Sequence, residues 1–263
     1  MCVEAFELMG AAFLGIFVVM TLIWIFAAWK NNAGAVDIGW ALCFLWIGTS
    51  FLFLGEGAIT KRISLSILLI VWSGRLAWHL WTRFAWDSED PRYTKLLQRL
   101  SSKEAENRPF LLYLLFLFQG VLIFVLSLPF YIVFGYAEPS WSFVEVVGLL
   151  VIVGAIFGEA AADGQLEQCK QQNRDKVCRH GLWYYSRHPN YFFEWVIWIG
   201  FFLFSLGTSF GYLAVLSPIL IFVLLTKVSG IPPAEEQALQ SRGDAYREYQ
   251  RTTSIFFPWF PSK

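Results

Sequence analysis

The sequence predicts an all-α polytopic membrane protein of seven transmembrane helices, amino terminus outside and carboxyl terminus in the cytoplasm. Three observations carry this. Of the 263 residues, 57% are hydrophobic and only 15% charged, where a soluble domain carries nearer a quarter charged. Seven apolar runs each approach the ~20 residues needed to cross a ~30 Å hydrocarbon core. Finally, with the amino terminus outside, all of the 20 Lys and Arg residues except Lys61, Arg62 and Arg75 fall in cytoplasmic segments, as the positive-inside rule requires.

The runs lie near 6–29, 36–55, 63–83, 109–135, 143–166, 190–207 and 209–228. Ahead of the first, Met1 to Leu8 carries Glu4 and Glu7 and no basic residue, unlike a signal peptide, so this run reads as a retained helix. The last two runs are joined by a short turn around Gly207–Gly211 and predict an antiparallel hairpin. Residues 229–263 are polar and amphipathic and close on "FFPWFP". With no internal repeat or soluble insert, 1–263 reads as a single integral-membrane domain. Residues 1–135 supply four of the helices, and 143–263 supply three helices and a tail. Cys2, Cys43, Cys169 and Cys178 form no CxxC motif and read as free thiols.

An ionisable residue inside a membrane helix costs roughly 2.5–3.5 kcal/mol on insertion scales, which makes it a functional candidate. Here these are Asp37 in the second span, Arg75 and His79 in the third, Glu159 and Asp163 in the fifth, Glu194 in the sixth and Lys227 ending the seventh. All lie in the half predicted to face the cytoplasm, whereas Glu56 and Glu145 lie toward the other face. Long side chains such as Arg83 and Lys227 can snorkel to water; short carboxylates cannot. Arg75, His79 and Arg83 recur at i, i+4, i+8, and the pairs Glu159–Asp163 and Asn190–Glu194 each share a helix face. These stripes predict a polar cavity open to the cytoplasm, although a ligand-free ion network uses the same residue types.

The stretch "YYSRHPNYFFEW", 184–195, opens the sixth span. Pro189 suits a first helical turn, and the free amides there favour an anion. Arg187, Arg179, Lys176 and Lys170 add positive charge, and Trp183, Tyr184 and Tyr185 offer rings for stacking. A positive-inside loop with interfacial aromatics has the same composition. Cys178, His180 and His188 have weak metal-ligand spacing, so no metal is expected. No GxGxxG, Walker A or HExxH motif is present, and no nucleic-acid partner is expected.

The segment from Glu159 to Pro261 resembles the carboxyl-terminal domain of the steroid 5α-reductase (3-oxo-5α-steroid 4-dehydrogenase) superfamily, in its bacterial branch. The resemblance rests on Glu159 and Asp163, the Gly181–Leu182 turn with Tyr185, Asn190–Tyr191 followed by Glu194, and the tail "AYREYQRTTSIFFPWFP". In the amino-terminal half it rests on "VDIGWALCF" and "RLAWHLWTRF…EDPRY". It implies a seven-helix fold, in the bacterial inner membrane, that binds NADPH from the cytoplasm and reduces a carbon–carbon double bond conjugated to a ketone. By position it implies that Asp163, Asn190, Tyr191 and Glu194 line the cofactor, with Glu159, Lys170, Tyr185 and Lys227 nearby. Arg83 and Arg92 have the spacing of family arginines that meet the phosphates. Where animal members place a tyrosine beside a histidine on the third span, this chain reads His79–Leu80, so no tyrosine proton donor is assigned there.

Such a reaction needs a group that polarises the carbonyl oxygen. His79 can donate that hydrogen bond, tuned by Arg75 or Asp37; it can equally be an ordinary interhelical hydrogen bond. The expected substrate is a steroid or other lipid enone entering from the bilayer along the Trp-rich first four spans. "RHPNY" with Glu235–Glu236 and "YREY" also resembles the S-adenosylmethionine-dependent isoprenylcysteine and phospholipid methyltransferases. A non-enzymatic lipid-binding or transport protein is the third reading. The transport form predicts charges toward both faces and an internal repeat, neither of which is visible.

Overall fold

The computed structural model describes residues 2–84, 93, 108–136, 140–172 and 176–262. Every regular element among them is helical, the form in which backbone polar groups are satisfied within one segment when no water is available. Six runs are long and apolar enough to cross a bilayer: Phe6–Lys30, Ala35–Leu54, Ile59–Arg83, Arg108–Leu126, Phe143–Gln172 and the composite Gly211–Thr252. The chain is an integral membrane protein. It divides into two compact units, residues 1–141 with 208–213, and residues 142–207 with 214–263.

The first unit contains α1 (Cys2–Lys30), α2 (Ala35–Leu54), α3 (Ile59–Arg83), α4 (Arg108–Leu126) and α5 (Leu128–Tyr136). Helix α1 packs on α2 and α4, and α2 packs on α3. Asn31, in the left-handed region at φ 52°, turns the chain between α1 and α2, and the Asn32 side chain accepts from Gly34 N at 3.0 Å. The predicted fourth run is two helices. Ser127 ends α4, its hydroxyl donating to Ile123 O at 2.8 Å, and Pro129 occupies the first turn of α5. The core of this unit is aromatic: Phe44 meets Trp72 with ring centroids 5.3 Å apart, and Phe51 meets Phe134 at 5.4 Å. Phe13, Leu22, Trp29, Phe53 and Trp78 face outward, as suits a lipid-facing surface.

The second unit contains α6 (Phe143–Gln172), α7 (Leu182–Tyr185), α8 (Pro189–Ser205), α9 (Leu216–Val223) and α10 (Ile231–Thr252). A capping box starts α6: the Glu145 carboxylate accepts from Ser142 N at 2.7 Å, while Glu145 N donates to the Ser142 hydroxyl at 3.4 Å. Glycines let α6 and α8 approach closely. A Cβ on Gly148 would lie 2.6 Å from Phe204 N, and one on Gly200 would lie 3.0 Å from Ile152 N. Small residues allow close backbone approach in membrane helices, where packing replaces hydrophobic driving force.

Helix α8 has 17 residues, a rise of about 25 Å. The predicted seventh run is composite: a 3₁₀ turn at Gly211–Val215, then α9, then a π-helical turn at Leu224–Val228. Its apolar part ends there, and α10, with its many charged residues, lies outside the membrane span. Trp195 Nε1 on α8 donates to Pro218 O at 3.1 Å, tying α8 to α9. The expectation of four free thiols is corrected. Cys169, at the end of α6, and Cys178 form a disulfide, their Cα atoms 5.8 Å apart, a proximity that sequence spacing does not specify; Cys43 is a buried free thiol.

Replacing Gly200 by Val places a branched side chain against the α6 backbone. We expect destabilisation of about 1–3 kcal/mol, the range for overpacking, read as a lowered thermal midpoint in detergent. The same change at Gly164, where a Cβ meets nothing within 4 Å, is expected to shift the midpoint far less.

Candidate functional site

The segment before α8 is held by its neighbours on all sides. Gly181, at φ 59°, turns the chain so that Leu182 N donates to the Gln165 side-chain oxygen at 2.8 Å. Trp183 Nε1 donates to Ala162 O, also at 2.8 Å. Ser186 uses its hydroxyl twice: it donates to Phe256 O at 2.9 Å and accepts from His188 N at 3.1 Å. Tyr185 O accepts from Trp259 N at 2.9 Å, and its ring meets Phe260 edge-on. The closing "FFPWFP" tail is therefore part of the wall beside α7, not a free end.

At the centre is the Glu235 carboxylate of α10. It accepts from Arg187 Nε and Nη2 at 3.0 and 3.1 Å, Tyr246 OH at 2.6 Å and Gln250 Nε2 at 2.6 Å, and pairs with His188 Nε2 at 2.8 Å. Arg187 Nη1 also donates to the carbonyls of Gln250 and Thr253, at 2.9 and 2.8 Å. Burial alone would push the Glu235 carboxyl upward; hydrogen bonds from His188, Tyr246, Arg187 and Gln250 outweigh it and hold the group well below the usual carboxylate range. The sequence-based role of Arg187 as an anion ligand is corrected, since its guanidinium is buried and committed to this cluster. Arg179 likewise donates to Ala245 O at 2.6 Å and lies over the Tyr249 ring.

Between α6 and α8 lies a second polar group. Asn190 Nδ2 donates to Asp163 Oδ1 at 3.2 Å, and its own Oδ1 is buried with no hydrogen-bond partner among the described residues. One turn further along each helix, Glu159 and Glu194 are both buried, at 4% and 8% exposure; the Glu194 carboxylate accepts from Trp198 Nε1 at 3.0 Å. Tyr191 stacks on His188 with the rings 6° from parallel and 5.5 Å apart. Lys170 is partly exposed at the end of α6, and Lys227 is exposed in the π-helical turn. The structure thus gathers Glu159, Asp163, Asn190, Tyr191 and Glu194 along the α6–α8 packing.

In the first unit, Arg75, His79 and Arg83 share the predicted stripe on α3, with Arg83 Nη1 3.3 Å from His79 Nε2. Arg92 lies outside the described residues. Tyr93, which sequence reasoning did not single out, donates its hydroxyl to Asp37 Oδ1 at 2.6 Å. The signal available for it was the "EDPRY" stretch itself, but a contact across 56 positions is not visible in spacing. A groove of about 620 Å³ runs between α1, α2 and α3, lined by Leu22, Phe26, Ile38, Leu42, Trp78 and Trp81 among others. Its apolar walls suit a lipid chain or ring system.

Fold and site together define a helical integral membrane protein with a partly buried carboxylate–amide set beside an aromatic-walled turn. The family model described as "Protein of unknown function (DUF1295)" matches residues 23–253, and the chain belongs to this family. It is similar to an uncharacterised protein of Schizosaccharomyces pombe, 24% identical over 280 residues, covering 92% of this chain and 77% of the relative. No solved structure matches.

Substituting Glu235 by Ala leaves the Arg187 guanidinium buried without its counter-ion. The expected loss is about 3–5 kcal/mol, as for breaking a buried ion pair, measured by thermal or denaturant unfolding. Glu236→Ala, at an exposed neighbouring position, should cost far less. The Glu235 carboxyl is lowered in the folded state, so its contribution is present above the ordinary carboxylate range and lost as pH falls through and below it. Unfolding followed against pH should show this acid sensitivity in the wild type and a reduced slope in Glu235→Ala.

Proposed function

We propose that this chain is an NADPH-dependent membrane reductase of the steroid 5α-reductase superfamily, saturating the double bond of a lipid enone. In this reading it crosses the membrane seven times, with α8 as the sixth crossing, and its amino terminus lies outside. The observation that carries the reading is the set Glu159, Asp163, Asn190 and Glu194, its two glutamates buried and Asp163 and Asn190 half-buried. Carboxylates and an amide in an apolar helix pair are rare and are functional candidates by default. Their acceptors and donor match a carboxamide and ribose hydroxyls. The exposed Arg83 guanidinium is suited to a phosphate group.

When bound, NADPH supplies the hydride for the β-carbon of the enone. The remaining chemistry falls to the chain. Electron density moves onto the carbonyl oxygen as the β-carbon is reduced, and that oxygen needs a proton donor. Tyr93 is our candidate: its single hydroxyl proton, donated to Asp37 in the structure, would turn to the enone oxygen, in place of the tyrosine that the third span lacks. His79 can add a second hydrogen bond to the same oxygen. The groove between α1, α2 and α3 would receive the apolar body of the substrate.

Methyl transfer from S-adenosylmethionine is the second reading, favoured by the Arg187–His188–Glu235 grouping within "RHPNY" and the downstream glutamates. Its weakness is that these three side chains already satisfy one another. The two readings separate in a thermal-shift titration of the detergent-purified protein, because a ligand that binds only the folded state raises the midpoint by mass action. We expect a shift with NADPH or NADP⁺ that Asn190→Ala weakens at least tenfold in apparent affinity. A shift with S-adenosylmethionine alone would replace the reductase reading with methyl transfer. Tyr93→Phe should leave NADPH binding intact and lower enone turnover by about a hundredfold or more, the usual scale for losing a general acid.

A further inference from the structure

Outside the polar set, the second unit brings together three metal-ligating side chains whose spacing in the sequence did not suggest it. Cys169 Sγ lies 3.4 Å from His180 Nδ1, and Cys178 Sγ lies 3.8 Å from the same nitrogen. The ligand atoms of all three lie within 4.8 Å of one another. His188, the sequence-stretch alternative, is instead committed to Glu235 at 2.8 Å. Around a tetrahedral zinc ion, with metal–sulfur bonds near 2.3 Å and metal–nitrogen bonds near 2.0–2.1 Å, neighbouring ligand atoms sit about 3.5–3.8 Å apart. The two sulfur–nitrogen separations already have that value. Only the sulfur–sulfur bond is incompatible with it.

The segment that carries Cys178 and His180 is anchored independently of the disulfide. Arg242 Nε donates to Lys176 O at 3.2 Å, Arg179 Nη2 donates to Ala245 O at 2.6 Å, and Leu182 N donates to the Gln165 side chain at 2.8 Å. When the disulfide opens, these contacts keep the thiols close to each other and to the imidazole. We propose that Cys169, Cys178 and His180, in the reduced protein, form a three-ligand site for a soft divalent cation of the zinc type. His180 is exposed and leaves the fourth position to water or an added ligand. Reduction takes two electrons and gives two thiols: a dithiol supplies both hydrogens and becomes a disulfide, whereas a phosphine is oxidised to its oxide while water supplies the oxygen and the two protons. Binding one divalent cation then releases those two protons, as metal–thiolate bonds form. The cation replaces the disulfide as the link between the end of α6 and the turn that holds Trp183 and Tyr185. This inference does not rest on the proposed reductase reading.

The test uses the full-length protein in detergent, with Cys2→Ser and Cys43→Ser removing the other thiols. After phosphine reduction and desalting, it is titrated with Co²⁺ and then Zn²⁺. We expect one equivalent of Co²⁺ with a sulfur-to-metal charge-transfer band, displaced by Zn²⁺, and no such band in the oxidised protein. Cys169→Ser should weaken binding at least tenfold. His180→Ala, at an exposed position compatible with folding, should weaken it and alter the Co²⁺ ligand-field spectrum. Absence of the band in the reduced protein, an equal response from the oxidised protein, or full retention in His180→Ala would each overturn the assignment.

Discussion

The Glu235 carboxylate joins parts of the chain that are far apart in sequence: Arg187 and His188 before α8, and Tyr246 and Gln250 on α10. Each donor is itself positioned by the contact. With the carboxylate in place, Arg187 Nη1 reaches the Gln250 and Thr253 carbonyls, and Ser186 reaches Phe256. The result is a fixed entry to α8, and it sets where Asn190, Tyr191 and Glu194 face. A buried ion of this kind is tolerated because nearly all its hydrogen-bonding capacity is used, the condition under which a buried charge ceases to be a liability.

From that fixed entry, the α6–α8 pair follows a different rule. Its contact is made by absence of side chains at Gly148 and Gly200, so the helices meet backbone to backbone. Close approach then brings Asp163 within hydrogen-bond reach of Asn190. Apolar packing surrounds the same region, with Trp198, Phe201 and Phe204 fully buried. A polar set placed in such surroundings is costly by itself, which is why it is the natural place to look for a ligand.

The first unit has a different character. Its interior is aromatic and its outer surface apolar, while its groove is bounded by tryptophans. Polar contacts among its described residues include Asp37 with Tyr93, and His79 with Arg83.

Much of the architecture was legible in composition and spacing alone. Long apolar runs marked the membrane helices, because length and hydropathy are local properties. Helical periodicity also paired Glu159 with Asp163 and Asn190 with Glu194. Other features were out of reach. The break at Ser127–Pro129 looked like continuous apolar sequence, and Arg187 looked like a free anion ligand. The Cys169–Cys178 disulfide and the Tyr93–Asp37 hydrogen bond were likewise unseen. Each depends on which distant residue arrives as a partner, and a residue's type does not specify that. The sequence by itself determined that most of its long apolar runs form helices of membrane-crossing length and which helix faces carry charge, since transfer free energy acts residue by residue. Tertiary structure decided which of those charged and polar groups meet one another, since a hydrogen bond requires both partners at one place.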